Sequence, residues 1–237
     1  STGSAQQTKL RAAYSAESSW SLATWIAYEG GLFKKYGLDV ELVEGSLNDQ
    51  TALRSGCAGA RYVYHVAADY RIWVPNPDEM YQANVQGTEN VIRAAAKAGA
   101  ERIVHCSSVA AVQVPHDRKP VDETSEYQHL DHVIGHYKKS KYLSDLLARK
   151  LAKEDGFPVV VVNPAAPIGP RDIKPTPTGK IVVDFLKGRM PSYIDTGMNV
   201  VHVDDVADGH WLASQKGRIG ERYILGGRNM SLKQILD

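Results

Sequence analysis

The stretch His136-Tyr137-Lys138-Lys139-Ser140-Lys141 opens a helical pattern that continues to about Lys153. Tyr137 and Lys141 are four residues apart, so on a helix both side chains project from the same face. A free tyrosine has a pKa of about 10, which is too high for proton transfer at neutral pH, but a neighbouring ammonium group favours the phenolate. The spacing therefore predicts an acid/base pair. Because the same spacing occurs by chance on many surface helices, the interpretation depends on the rest of the chain.

Strand-like apolar runs alternate with helical patterns on both sides of this stretch. The predicted strands are 10–14, 39–43, 61–68, 102–106, 158–162, 200–203 and 223–225. The predicted helices are 20–26, 50–55, 80–98, 137–153 and 206–213. Such alternation is typical of a parallel sheet covered on both faces. We therefore predict an α/β fold, a three-layer Rossmann-like doubly wound parallel sheet.

Two segments near the C-terminus add expectations of their own. Residues 165–177 are rich in Pro and Gly and predict a long loop, which is a common place for a binding site. Ser231 and Gln234 have the spacing of a capping box, which starts a helix. The chain then ends after one or two turns, and so short a helix is unstable without packing. We therefore expect a truncated C-terminal substrate region.

Composition excludes several functional classes. The 237 residues include 28 basic and 27 acidic side chains, so the net charge of +1 gives no footprint for nucleic acid or an anionic membrane. No apolar run approaches the ~18 residues of a membrane span, and a cytoplasmic location is expected. Cys57 and Cys106 are too few for a disulfide framework or a zinc site, which fits a reducing compartment. Residues 1–8 are expected to be a tag or disordered.

Other clusters have simpler interpretations. His129, His132 and His136 would share one face if a helix reached back that far, and three histidines with water can bind zinc. Gly135 argues against that helix, so no metal site is predicted. His65 and His105 lie in strand-like runs and are expected to be satisfied core or edge residues.

From about Leu38 to its end, the chain resembles the extended short-chain dehydrogenase/reductase superfamily. The resemblance is strongest to the sugar-epimerase and dihydroflavonol-reductase-like branch that includes hopanoid-associated epimerases. It rests on the order and spacing of the segments 64–68, 84–88, 107–108, 137–141, 163–164, 167–170 and 202–206.

The resemblance implies four catalytic residues. Tyr137 would be the proton donor or acceptor, and Lys141 would lower its pKa while binding the nicotinamide ribose. Ser108 would hydrogen-bond the substrate oxygen, and Asn84 would support the site from the neighbouring helix. On the residues alone, Ser108 could instead be a strand-end hydroxyl and Asn84 a polar residue on a partly exposed helix face.

The resemblance also implies NAD or NADP as the cofactor and a small molecule as the substrate. Ala67 and Ala68 would let the cofactor approach the end of a strand, Pro164 would wall the nicotinamide, and Tyr137 and Lys141 would contact its ribose. The family often dimerises through the helices that carry Asn84 and Tyr137, so a homodimer is one outcome that the resemblance implies.

The first 37 residues depart from this pattern. The family begins with a glycine-rich turn that lets the backbone approach the pyrophosphate, whereas here the glycines between Leu10 and Leu38 all follow the first helix pattern. Ser46 stands where the family commonly carries an aspartate that faces the adenine. No acidic or basic residue that would bind the ribose is identified at the end of the second strand.

Residues 9–43 instead resemble the start of a periplasmic substrate-binding protein of the sulfonate, nitrate or thiamine-precursor class. This predicts a chimera: a βαβ unit over 9–43, joined to a Rossmann-like remainder over 44–237 in a single folded domain. Since both parents use parallel sheets, a flavodoxin-like strand order beginning 2-1-3 is expected.

Three functions remain open from the sequence. The first is an NAD(P)-dependent oxidoreductase or epimerase that acts on a carbinol or carbonyl of a sugar-like or polycyclic substrate, with its cofactor-binding loop replaced. The second is a folded α/β chimera without catalytic activity or useful cofactor binding. The third is a small-ligand binding module, which ranks last because 35 residues supply only the first unit of a two-lobed binding protein.

Overall fold

The computed structural model describes residues 8–14, 22–114, 119–170, 172 and 175–237. Its strands are β1 (Thr8–Tyr14), β2 (Leu38–Glu44), β3 (Tyr62–His65), β4 (Arg102–Cys106), β5 (Val159–Pro164), β6 (Ala166–Ile168), β7 (Gly197–His202), β8 (Arg222–Leu225) and β9 (Arg228–Ser231). Its α-helices are α1 (Leu22–Glu29), α2 (Leu32–Lys35), α3 (Gln50–Cys57), α4 (Pro77–Tyr81), α5 (Gly87–Lys97), α6 (His136–Glu154), α7 (Pro177–Leu186), α8 (Val203–Lys216) and α9 (Leu232–Leu236).

A four-stranded parallel sheet of order β3-β4-β5-β8 forms the centre of the molecule. Val159 to Val162 of β5 are fully buried, as expected for a continuous apolar strand covered on both faces. One face packs Ile103 and Val161 against α5 and α6, and the other packs Val104 and Val162 against α8. Helices therefore lie on both sides of the sheet, and the predicted three-layer α/β fold is confirmed.

The N-terminal strands form a sheet of their own. β1 pairs with β2 in parallel over seven residues, from Thr8 opposite Leu38 to Tyr14 opposite Glu44. This agrees with the first step of the predicted order 2-1-3, but in the described residues no hydrogen-bond ladder joins β1 to β3. Arg11 of β1 donates to Glu41 of β2 at 2.7 Å and to the carbonyl of Ala58 at the end of α3, so its side chain links β1 to β2 and to α3.

A small sheet, β6-β7-β9, lies beside the main one, with β6 parallel and β9 antiparallel to β7. It corrects the prediction that 165–177 is one long loop, because β6 occupies part of that segment. Pro177 then begins α7, where Thr176 accepts a hydrogen bond from Gly179 N at 3.2 Å. The predicted capping box is confirmed by the reciprocal bonds of Ser231 and Gln234 at the start of α9.

Other boundaries also differ from the predictions. Thr8 lies in β1, so the predicted disordered segment 1–8 is wrong at its last residue, and residues 1–7 lie outside the described part. β3 covers only part of the predicted strand 61–68. In place of the single helix predicted over 80–98, the structure has three consecutive elements: α4, a π-helical turn at Gln82–Gln86, and α5. None of the helices in the described ranges is both long enough and apolar enough to cross a membrane.

Candidate functional site

The positions of Tyr137 and Lys141 follow from how α6 begins. Gly135 adopts φ +88°, a left-handed conformation suited to glycine, and the helix starts at the next residue. Lys141 is one turn beyond Tyr137 and only 3% exposed. Its Nζ donates to the carbonyl oxygen of Cys106, at the end of β4, at 2.9 Å. Burial lowers the pKa of Lys141, and the interactions of its ammonium with Cys106 and with the Asp145 carboxylate oppose that shift.

Ser108 lies two residues beyond β4 and faces Tyr137. Its Oγ accepts a hydrogen bond from Ala110 N at 3.1 Å, which caps the short turn Val109–Ala111. The Ser108 hydroxyl is close enough to the Tyr137 phenol to act on its pKa, which it lowers. Because the two side chains are neighbours, an oxygen of a bound molecule could contact both hydroxyls.

The pKa of Tyr137 differs from the sequence prediction. Burial raises it, and the neighbouring Ser108 hydroxyl only partly opposes that effect. The lowering predicted from Lys141 is wrong for this structure, because the Lys141 ammonium is directed to the carbonyl of Cys106. Tyr137 is therefore a protonated phenol at neutral pH and a potential proton donor.

Asn84 lies in the π-helical turn and is 2% exposed, so the partly exposed position considered from the sequence is wrong. Its Oδ1 accepts from Asp69 N at 2.7 Å, and its Nδ2 donates to Asp69 O at 2.8 Å and to Ser140 Oγ at 2.9 Å. Ser140 in turn donates to the backbone carbonyl of Tyr137 at 2.8 Å. Asn84 thus ties the segment after β3 to the first turn of α6.

The residues predicted to contact a cofactor lie at the same edge of the main sheet. Ala67 is exposed and Ala68 half-buried just after β3, and Pro164 is the half-buried last residue of β5. Since β3, β4 and β5 are parallel, their carboxyl ends bring these residues to the edge where Ser108 lies.

This edge fits the nicotinamide end of a dinucleotide. The Lys141 ammonium has three N–H donors, and the bond described for it uses one of them. The small side chains of Ala67 and Ala68 leave the backbone after β3 open to a ligand. At the pyrophosphate end, the glycine-rich turn of the family would correspond to residues 15–21. These residues contain no glycine and lie outside the described part of the chain.

Behind the site, two histidines stack with ring centroids 5.3 Å apart. His65 Nε2 lies 3.1 Å from Thr88 Oγ1, whereas neither ring nitrogen of His105 has a partner among the described residues. The prediction of a satisfied core residue is therefore correct for His65 and wrong for His105. Burial, reinforced by the charge of Lys141, lowers the pKa of His65 to about 3 and that of His105 well below its usual value.

His129, His132 and His136 do not share one helix face. Leu130–His132 form a 3-10 turn, and the rings of His129 and His132 contact each other edge-on with centroids 5.3 Å apart. His136 instead faces Tyr81, whose hydroxyl lies 3.1 Å from its Nδ1. Within the part of the chain that the structure describes, no group of three or more histidine, cysteine or carboxylate side chains is arranged to hold a metal ion.

The profile of the NAD dependent epimerase/dehydratase family matches residues 8–226. The chain belongs to this family, within the extended short-chain dehydrogenases/reductases. The family match includes the segment 9–43, whose origin in a substrate-binding protein stays a prediction. Members of the family bind NAD or NADP.

Two curated relatives in the family illustrate its range. The chain is 46% identical over 203 residues to "Putative dihydroflavonol 4-reductase" of Synechocystis sp., which covers 84% of this chain and 58% of that protein. It is 33% identical over 204 residues to sterol demethylase protein B of Methylococcus capsulatus, covering 84% of this chain and 60% of that protein. The chain thus spans about three fifths of the length of these relatives.

Solved structures agree with the family fold. The crystal structure of gox2253 superposes with a TM-score of 0.84 at 44% identity, over 97% of this chain and 65% of that one. The dTDP-glucose 4,6-dehydratase DesIV from Streptomyces venezuelae, solved as a double mutant with NAD bound, gives a TM-score of 0.76 at 24% identity. It covers 98% of this chain and 70% of that one, and at this identity the likeness concerns the fold alone.

Proposed function

We propose that this chain catalyses NAD(P)-dependent oxidation or reduction of a carbinol or carbonyl, as a reductase or an epimerase, on a sugar-like or polycyclic substrate. The observation that carries the proposal is the placement of Ser108 beside Tyr137 at the carboxyl edge of the main sheet, one helical turn from the buried ammonium of Lys141. Membership of the NAD dependent epimerase/dehydratase family supports the reaction type.

In the proposed reaction, the substrate oxygen lies between the hydroxyls of Ser108 and Tyr137. In the direction of reduction, Tyr137 donates its proton to that oxygen, consistent with its raised pKa. Ser108 Oγ holds the oxygen by a hydrogen bond and, by lowering the pKa of Tyr137, favours the phenolate that remains there. A bound nicotinamide would supply or accept the hydride.

The residues for that cofactor are Lys141 and Tyr137 for the ribose, Ala67 and Ala68 for close approach to the backbone, and Pro164 as a wall. Their place at one sheet edge supports this assignment. Asn84 takes part as a positioning residue, because its bonds end on Asp69 and Ser140.

Replacing Tyr137 with Phe tests the proposal directly. The variant Tyr137→Phe loses the proton donor but keeps the ring, so turnover should fall by at least about 10²-fold, while NADH and NADPH affinity should fall by no more than about tenfold, the cost of one hydrogen bond to the ribose. Lys138→Met, which removes an exposed neighbouring charge, is the matched control and should retain activity. Activity that persists in Tyr137→Phe would contradict the assignment.

A second candidate is a folded domain without useful cofactor binding. It is favoured by the absence of glycine from residues 15–21, where the family's phosphate loop would be, and by the separate β1-β2 sheet. A cofactor titration distinguishes this candidate from the first. A small-ligand binding module of substrate-binding-protein type is the third candidate and has less support, because it depends on residues 9–43 alone.

A homodimer and a cytoplasmic location complete the proposal. The helices α5 and α6 form a groove of about 220 Å³ lined by residues of both signs: Glu89, Arg93, Leu147, Lys150, Leu151, Glu154 and Asp155. Charges of both signs suit a two-fold contact in which each patch meets its own copy. Sedimentation velocity measures the oligomeric state.

A further inference from the structure

A partly buried cluster of charged side chains lies behind the candidate site, where α6, β8 and the segment before residue 127 meet. Asp145 is fully buried and Arg222 is 4% exposed. Asp145 Oδ1 accepts from Arg149 Nε at 2.8 Å and lies 3.5 Å from Arg222 Nη1. Glu126 Oε1 lies 2.7 Å from Arg149 Nη1 and 3.3 Å from Arg222 Nη2. Two arginines thus balance two carboxylates.

Such a cluster needs an explanation beyond stability. Buried ion pairs cost about as much in desolvation as they return, and apolar residues of similar volume often stabilise a fold as well or better. The cluster lies next to an apolar core that α6 already supplies with Ala148 and Leu151. We therefore expect the cluster to serve mainly to hold neighbouring groups in position.

Hydrogen bonds join this cluster to Ser108. Asp145 Oδ2 accepts from Asn163 Nδ2 at 2.8 Å, and the same amide donates to the backbone carbonyl of Ser108 at 2.9 Å. Arg222 Nη1 lies 3.4 Å from the carbonyl of Ala111, at the other end of the turn that Ser108 begins. The cluster therefore holds both ends of the turn 108–111.

The same cluster is fixed to the helix that carries the acid/base pair. Tyr137, Lys141 and Asp145 follow one another at intervals of four residues, so they share one face of α6. Arg222 is anchored separately, because its Nε donates to Glu123 O at 2.9 Å and its Nη2 to Ser125 O at 2.6 Å.

We propose that Asp145 and Arg222 are positioning residues that fix the Ser108 hydroxyl relative to Tyr137, acting through Asn163 and the turn 108–111. The inference rests on the proposed function, in which Ser108 and Tyr137 hold the same substrate oxygen. Neither Asp145 nor Arg222 contacts the reacting atoms. Since a displacement of about 1 Å can cost about 10²-fold in rate, the position of this turn matters for catalysis.

The test compares Asp145→Asn with the control Glu154→Gln on the same helix. Glu154 pairs with Lys150 at 3.6 Å on the exposed face, so its change removes one carboxylate without touching the cluster. Hydrogen exchange of the full chain is followed in the peptide 107–113, whose amides of Ala110, Ala111 and Val112 are bonded within the turn. The peptide 146–154 of α6 reports on general stability.

Asp145→Asn should speed exchange in 107–113 by at least about tenfold, with 146–154 changed by less than about twofold. Glu154→Gln should change neither. In turnover assays, kcat of Asp145→Asn should fall by at least about tenfold while the KM of the carbonyl substrate changes by less than about twofold.

Unchanged exchange in 107–113, or an equal loss of protection in both peptides, would overturn the proposal. Should Asp145→Asn not fold, Arg222→Lys carries the test, because it keeps the charge and loses the fork that reaches Ala111 and Ser125. If the wild-type chain shows no turnover, the proposed function has failed, and the exchange comparison still decides the positioning role.

Discussion

At the residue scale, the site depends on burial more than on the pairing that the spacing suggested. Tyr137 and Lys141 share a helix face as predicted, but the ammonium of Lys141 bonds to Cys106 and the pKa of Tyr137 is raised. The helical spacing of the pair could be derived from the sequence. The direction of the lysine side chain could not, because it depends on a carbonyl 35 residues away.

The buried histidines make stability depend on pH. The pKa of His65 is about 3 in the folded protein and about 6.5 when unfolded, and that of His105 is lowered in the same direction. Below about pH 6.5 the unfolded chain therefore binds protons that the folded chain excludes. As the pH falls from about 6.5 toward the folded pKa, each buried histidine should therefore lower the free energy of unfolding by about 1.4 kcal/mol per pH unit.

Urea unfolding between pH 7.5 and 4.5 measures this dependence. His65→Gln should reduce the slope below pH 6.5 by the contribution of one proton. A slope equal to that of the wild type in His65→Gln would contradict the assignment of His65 as a neutral buried residue.

At the element scale, the π-helical turn between α4 and α5 is what brings Asn84 inward. The sequence predicts one helix over 80–98, since its apolar spacing is regular, and the extra residue of a π turn leaves no clear mark in that pattern. The strands β4 and β5 were predictable because continuous apolar runs have few alternatives. The strand β6 was not, because its three residues lie among prolines and glycine.

Replacing Asn84 with Ala tests the importance of this turn. The change leaves the N–H and C=O of Asp69 and the Oγ of Ser140 without their partner, so the free energy of unfolding should fall by about 2–4 kcal/mol. Asn90→Ala is the control, since Asn90 donates one bond to Leu47 O at 2.9 Å, and it should cost about 1 kcal/mol. Equal losses in the two variants, measured in urea, would contradict the role given to Asn84.

At the scale of the whole molecule, the main sheet and the β1-β2 sheet are stabilised by different interactions. The main sheet is covered on both faces, whereas β1 is mostly exposed. Arg11 holds β1 to β2 and to the end of α3. The pairing of β1 with β2 was predicted from the sequence. That these two strands form a sheet apart from β3-β4-β5-β8 was not, because hydrogen bonding between distant strands is not specified by local sequence patterns.

Arg11→Met should therefore loosen one part of the molecule selectively. Hydrogen exchange in β1 and β2 should accelerate while exchange in β4 and β5 stays unchanged, because their core does not include Arg11. Arg61→Met, which removes an exposed pair with Glu101, is the control and should leave all four strands unchanged. Loss of protection in β4 and β5 with Arg11→Met would show that the sheets unfold as one unit.

The central claim is that the Tyr137 and Lys141 edge is a nicotinamide site, although the phosphate loop of the family has no glycine counterpart in residues 15–21. Titration of the purified chain with NADH and NADPH, followed by calorimetry, tests it most directly. The account predicts saturable binding, weaker than in family members with a glycine-rich loop, and at least about tenfold weaker still in Lys141→Met. No binding up to about 1 mM of either cofactor, or equal binding by Lys141→Met, would contradict the claim.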